Sequence, residues 1–189
     1  LMEFLSKEFA FFFKDYIRDV NRLFTDFKSP SHKINAYMLQ DMSLNLKEFK
    51  GARFSHIIRD PRDMVVSGYY YHLKCDEPWC TVIEPSSFQW LVNKPIFKEF
   101  FPHETSFPDK ISYQQYLNQL TEEEGITLEM IWRTSHFESM IQWDYNNPDC
   151  IEMRYEDIIG NEEESFRSIF THYGLSDQIV TRGVELAKT

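Results

Sequence analysis

The stretch Phe54-Ser55-His56-Ile57-Ile58-Arg59-Asp60-Pro61-Arg62-Asp63-Met64-Val65-Val66-Ser67-Gly68 decides how this chain folds. Arg53–Ile58 reads as a strand, because it is short and apolar and runs straight into Arg59-Asp60-Pro61-Arg62-Asp63. That polar run has helix-start chemistry. Asp60 suits the cap, Pro61 the first helical position, and Asp63 puts a carboxylate where a helix N-terminus favours one. The spacing predicts a helix over 61–74. An arginine at the carboxyl end of a strand, beside a helix N-terminus, unites a bidentate guanidinium with backbone N–H donors, a pairing suited to phosphate. Ser67 lies eight residues beyond Arg59, about two turns into the helix, where a hydroxyl reaches the same anion. A second reading pairs Arg59 and Arg62 with Asp60, Asp63 or an acidic neighbour as a surface network. Spacing alone does not separate the two.

Working outward, the first thirty residues read as one amphipathic helix, with Leu5, Phe9, Phe12, Phe13, Tyr16, Ile17, Val20, Phe24 and Phe27 at three- and four-residue steps. Ser29-Pro30-Ser31 ends it, and 33–39 reads as a short strand. Residues 75–111 hold five of the eight prolines and read as loop with short helical pieces. Helices are predicted over 113–124 and 127–145, the second with Met130, Phe137, Met140 and Ile141 on one side. Cys150–Arg154 is a second strand, introduced by the turn signal Asn146-Asn147-Pro148-Asp149. Phe166, Ile169, Phe170 and Tyr173 form a helix face stopped by Gly174, and a last helix spans 176–187. Strands feeding helices predict a layered α/β domain with a parallel sheet of few strands, and 1–189 is read as a single domain.

Composition narrows the function. The 189 residues carry 20 Lys+Arg against 30 Asp+Glu, a net charge of −10, which argues against a nucleic-acid binder with its basic face. Only 6 glycines occur, Gly51, Gly68, Gly125, Gly160, Gly174 and Gly183, no two closer than nine positions. A Gly-rich phosphate loop needs glycines five or fewer apart, so the chain contains none. No apolar run approaches the roughly 20 residues of a membrane span. The start has no leader, and the three cysteines are too few for a disulfide scaffold, so a cytoplasmic protein is expected.

The order of residues from Arg59 through Ser67 into Tyr69-Tyr70-Tyr71-His72 resembles the 3′-phosphate-binding segment of sulfotransferases that use 3′-phosphoadenosine-5′-phosphosulfate (PAPS). Met153-Arg154-Tyr155-Glu156-Asp157-Ile158-Ile159 resembles a second block of that family, about ninety residues later and in the family's order. Ser112–Leu117 and Glu129–Trp132 are also family-like, so the resemblance runs from about 32 to 174. It implies a three-layer parallel sheet flanked by helices, the P-loop NTPase-like sulfotransferase fold, helix-rich and incomplete in this chain. It implies transfer of a sulfuryl group from PAPS, the donor, to a hydroxyl or amine of a small-molecule, carbohydrate or lipid acceptor, without a metal. Arg59 and Ser67 would bind the 3′-phosphate, and Tyr155 would contact adenine; Tyr155 equally suits a half-buried strand end. Glu156 and Asp157 read as capping or pairing groups.

The departures are as informative. The family's catalytic His lies in a Lys-Thr-His-like segment upstream of the arginine block. Setting Lys33 on that Lys puts Asn35, which cannot accept a proton, in the His slot. His32 is the candidate base, with an ordinary loop histidine as the alternative. Neither the Pro-Lys-x-Gly-Thr turn for the 5′-phosphosulfate nor the carboxyl-terminal Arg-Lys-Gly segment is found, so the domain is expected to be partial at both ends. A non-catalytic nucleotide-binding or interaction module built on the same core is the alternative. His72, Cys75 and Cys80 have metal-ligand chemistry at loose spacing with no evident fourth ligand, and buried or loop thiols are the better reading. Oligomeric state and acceptor identity are not legible.

Overall fold

The computed structural model describes residues 12–13, 35–36, 45–83, 88–104, 106–108 and 110–187. The chain divides into two compact units, 1–59 with 142–189, and 60–141.

In the first unit β1 (Phe12–Phe13) pairs in parallel with β2 (Asn35–Ala36). The second of these strands lies inside the predicted 33–39. The first corrects the helix predicted through residue 13. In a stretch that holds Phe11, Phe12 and Phe13 in a row, three- and four-residue spacings arise whatever the backbone does, and aromatic residues favour strands. The remainder of 1–30 lies outside the described residues. Strand β3 (Phe54–Ile58) pairs in parallel with β4 (Cys150–Arg154), Phe54 opposite Cys150 and Ile58 opposite Arg154. The α/β reading with parallel pairing holds, while the described strands form two separate two-stranded sheets.

Most of the described elements are helices. After β4 come α8 (Tyr155–Ile158), α9 (Glu162–His172) and α10 (Asp177–Ala187), counted after the seven helices of residues 60–142. Ile169 and Phe170 of α9 pack on Val180 and Val184 of α10, with Ile151 and Met153 of β4 against them. Tyr173 is the C-cap of α9, its N–H bonding the Ile169 carbonyl, and its hydroxyl meets Ser55 Oγ at 2.6 Å. Gly174 stops the helix as its type predicts: it takes φ +73°, its N–H bonds the Thr171 carbonyl, and the Arg53 guanidinium bonds the His172 carbonyl.

The second unit is helical. It holds α1 (Pro61–His72), α2 (Pro78–Thr81), α3 (Gln89–Val92), α4 (Pro95–Phe100), α5 (Tyr113–Leu117) and α6 (Glu122–Trp132); α7 (Thr134–Gln142) reaches its end. Proline opens α1, α2 and α4, where its missing N–H costs nothing. Two predicted helices each split in two. Thr121 and Glu124 form a capping box that starts α6, which ends 113–124 early. At Arg133, the Thr134 hydroxyl and Lys94 Nζ both donate to the Ile131 carbonyl, drawing it away from the helix ladder. Ile141, predicted to share a side with Met130, Phe137 and Met140, is 82% exposed, while those three are partly buried. Phe88, Phe97, Phe107, Tyr113, Leu128 and Ile131 fill the core of this unit. At roughly 1.5–3 kcal/mol per buried large apolar side chain, such residues hold together a set of mostly short helices. Among the described residues no helix is long and apolar enough to cross a membrane.

Candidate functional site

Both strands of the β3–β4 pair run in the same direction, so their carboxyl ends deliver Arg59 and Tyr155 side by side. The Arg59 guanidinium carbon lies 4.9 Å from the centroid of the Tyr155 ring, a cation–π distance. Arg59 is half-buried, and Tyr155 is 40% exposed. The structure thus brings together two of the residues singled out in sequence, almost a hundred positions apart. In open α/β sheets this end of the strands is where ligands sit.

Asp60 caps α1 as expected. Its carboxylate accepts from the Arg62 backbone N–H at 2.9 Å and from the Arg62 guanidinium at 3.0 and 2.5 Å. The surface network foreseen for the arginines is therefore present at Arg62, whose side chain is 88% exposed. Ser67, on α1 in the second unit, is exposed. His32 lies outside the described residues, and Asn35 is described only as part of β2.

Two polar clusters escaped the sequence reading. On one face of the β3–β4 pair, His56 Nδ1 meets Glu152 Oε2 at 2.8 Å, Trp143 Nε1 donates to Glu152 Oε1 at 2.6 Å, and the His56 ring lies 4.1 Å from the Trp143 rings. Cys150 Sγ donates to the same carboxylate at 3.3 Å. Burial, and then the adjoining Glu152 carboxylate, push the Cys150 thiol up to about 12. The signal that could have found this cluster is register: His56 and Glu152 are direct cross-strand partners, which only the pairing reveals.

The other cluster is in the second unit. Glu129, fully buried in α6, accepts from His72 Nδ1 at 2.6 Å and from the Tyr113 hydroxyl at 2.8 Å, both on Oε1. Its Oε2 faces Arg133 Nε at 3.8 Å. Burial, and then the Glu129 charge, raise the Tyr113 hydroxyl well above its ordinary value. His72 therefore faces a carboxylate. Among the described residues no group of three or more His, Cys, Asp or Glu side chains is arranged to hold a metal ion. Cys80 is buried, its Sγ 3.7 Å from the His72 carbonyl, and its thiol is raised mainly by desolvation. In sequence, Glu129 opens the family-like stretch Glu129–Trp132, with apolar neighbours on both sides and Arg133 four residues on, but nothing there marks it as buried.

The Arg59–Tyr155 corner offers a half-buried cation stacked on a flat, partly exposed ring. That combination suits an anionic ligand bearing a planar group. The profile of the sulfotransferase domain matches residues 36–187, a span that includes both sequence blocks and both residues of this corner. No curated protein and no solved structure matches the chain. With most of its length inside that profile, the chain belongs to the sulfotransferase domain family.

Proposed function

We propose that this chain is a sulfotransferase that takes a sulfuryl group from PAPS and gives it to a hydroxyl or amine acceptor, with residues 1–189 read as part of one such domain on a P-loop NTPase-like fold. The single observation that carries the reading is the Arg59–Tyr155 corner at the carboxyl end of the parallel strands. Arg59 binds the 3′-phosphate, and the Ser67 hydroxyl donates to the same group. Tyr155 contacts the adenine.

In the reaction the acceptor oxygen or nitrogen attacks sulfur in line. The new bond forms as the bond from sulfur to the phosphate oxygen breaks, and that oxygen keeps the electron pair, leaving 3′-phosphoadenosine-5′-phosphate (PAP). The acceptor's proton passes to a base, the role proposed for His32. The protein's own contribution is to orient the nucleotide and to balance charge on its phosphates, as in phosphoryl transfer. One observation favours a second reading, a nucleotide-binding module without catalysis: Asn35 stands in the family's histidine slot.

The two readings separate in one assay. The full chain is incubated with PAPS and a panel of alcohol, amine, sugar and lipid acceptors, and PAP release is followed. Acceptor-dependent release, reduced about tenfold or more in Arg59→Ala and in His32→Ala, is the expected outcome. Binding of PAP with no release for any acceptor would establish the module instead.

A further inference from the structure

The Glu152 carboxylate ties β3 to β4 a few residues before the corner where Arg59 meets Tyr155. Every pairing in that ladder, from Phe54–Cys150 to Ile58–Arg154, joins residues 96 apart, and His56–Glu152 is one of them. Arg59 and Tyr155 directly follow the two strands and continue the same offset. The 4.9 Å contact between their guanidinium and ring is therefore a consequence of register. All of these residues belong to the first unit.

Little else fixes that register. Parallel pairing is slightly weaker per residue than antiparallel pairing, and no residue of either strand is fully buried. Ile151 and Met153 pack toward α9 and α10 from one face, but apolar contacts are non-directional. The Ser55–Tyr173 bond holds β3 to the end of α9 and does not join the strands. On the other face Glu152 is held by directional bonds. Its Oε2 meets His56 Nδ1 of β3 at 2.8 Å, while Oε1 accepts from Trp143 Nε1 at 2.6 Å and from Cys150 Sγ at 3.3 Å. A slip of β4 by one residue would turn Glu152 to the face of Ile151 and Met153, away from His56. That would leave a charge among apolar side chains, which is costly. A slip by two would keep the face but carry the carboxylate about 7 Å along β3, out of reach of His56.

We infer that Glu152 is a positioning residue for the nucleotide corner: by holding His56 it sets the β3–β4 register that lays Arg59 over Tyr155, so that one nucleotide meets both. This role rests on the PAPS reading above. The Glu152 side chain is engaged by His56, Trp143 and Cys150, and it acts through the strands.

The test uses calorimetry on the full chain with two ligands. PAP places a phosphate on Arg59 and adenine on Tyr155 together, whereas 5′-AMP lacks the 3′-phosphate and calls only on Tyr155. Glu152→Ala is expected to weaken PAP about fivefold or more while leaving 5′-AMP unchanged. Glu152→Gln, whose amide can still bond His56 and Trp143, should stay within about twofold of wild type. In an Arg59→Ala background the effect of Glu152→Ala on PAP should vanish, because both changes act through one guanidinium. Val184→Ala, which opens a cavity between α9 and α10, should lower the melting temperature and leave both affinities unchanged. If Glu152→Ala does not fold, His56→Leu removes the same bond from the other strand and should show the same pattern. Equal weakening of PAP and 5′-AMP, unchanged PAP affinity, or effects that simply multiply with Arg59→Ala would overturn the positioning role alone. A wild-type chain that does not distinguish PAP from 5′-AMP would overturn the PAPS reading and this role with it.

Discussion

Arg59 and Arg62 show how far a residue's type is from its role. They share a motif, yet Arg62 closes on Asp60 at the surface while Arg59 lies over Tyr155. A lysine at 59 would keep the charge and lose the flat, forked group that stacks on a ring and grips phosphate. The same scale offers a prediction at Cys150. Folding raises this thiol from 9.0 to about 12, so the fold favours the protonated form. The associated stability is present below pH 9 and is lost as pH rises toward 12. At pH 8 the folded thiolate fraction should fall about a thousandfold below that of the unfolded chain. Alkylation of the Cys150 peptide, followed by mass spectrometry with and without denaturant, should be slower in the folded protein by a factor of that order. Comparable rates would show that burial does not protect the thiol.

At the scale of elements, helix α6 carries both the capping box that starts it and the buried carboxylate that bonds His72 of α1. Gly125 lies between them, and a Cβ there would meet Tyr69 of α1 at 2.4 Å. Propensity alone favours alanine over glycine in a helix by about 1 kcal/mol. The clash with a buried ring opposes it, and overpacking costs about 1–3 kcal/mol. Gly125→Ala is therefore expected to lower the melting temperature by several degrees, and a rise would show that Tyr69 moves aside freely. Elements were legible where local chemistry marks them. Asp60-Pro61 and Gly174 bounded helices correctly because caps and φ are set by neighbouring residues. At the break near Arg133 the Thr134 hydroxyl is a local signal, whereas Lys94, nearly forty residues away, reaches the same Ile131 carbonyl through a contact that no local pattern marks. Phe12–Phe13 failed for a different reason: aromatic density mimics helical period.

For the whole molecule, legibility followed the same division. The family could be read from two short blocks, and its profile matches 36–187. Arg59 and Tyr155 were singled out from those blocks, and the parallel pairing puts them together. The buried role of Glu129 and the pairing of His56 with Glu152 stayed hidden because they lie in tertiary contacts, which the motifs around those residues do not encode. A chain of net charge −10 repels a nucleotide with two phosphate groups at long range. Affinity for such a ligand must then come from a local cation, which is the role given to Arg59. Calorimetric titration of the full chain with PAP, beside Arg59→Ala, tests this most directly. The expected result is saturable binding of PAP that Arg59→Ala weakens about tenfold or more, the loss of a bidentate charged contact. Undiminished affinity in Arg59→Ala, or no binding by the wild-type chain, would contradict it.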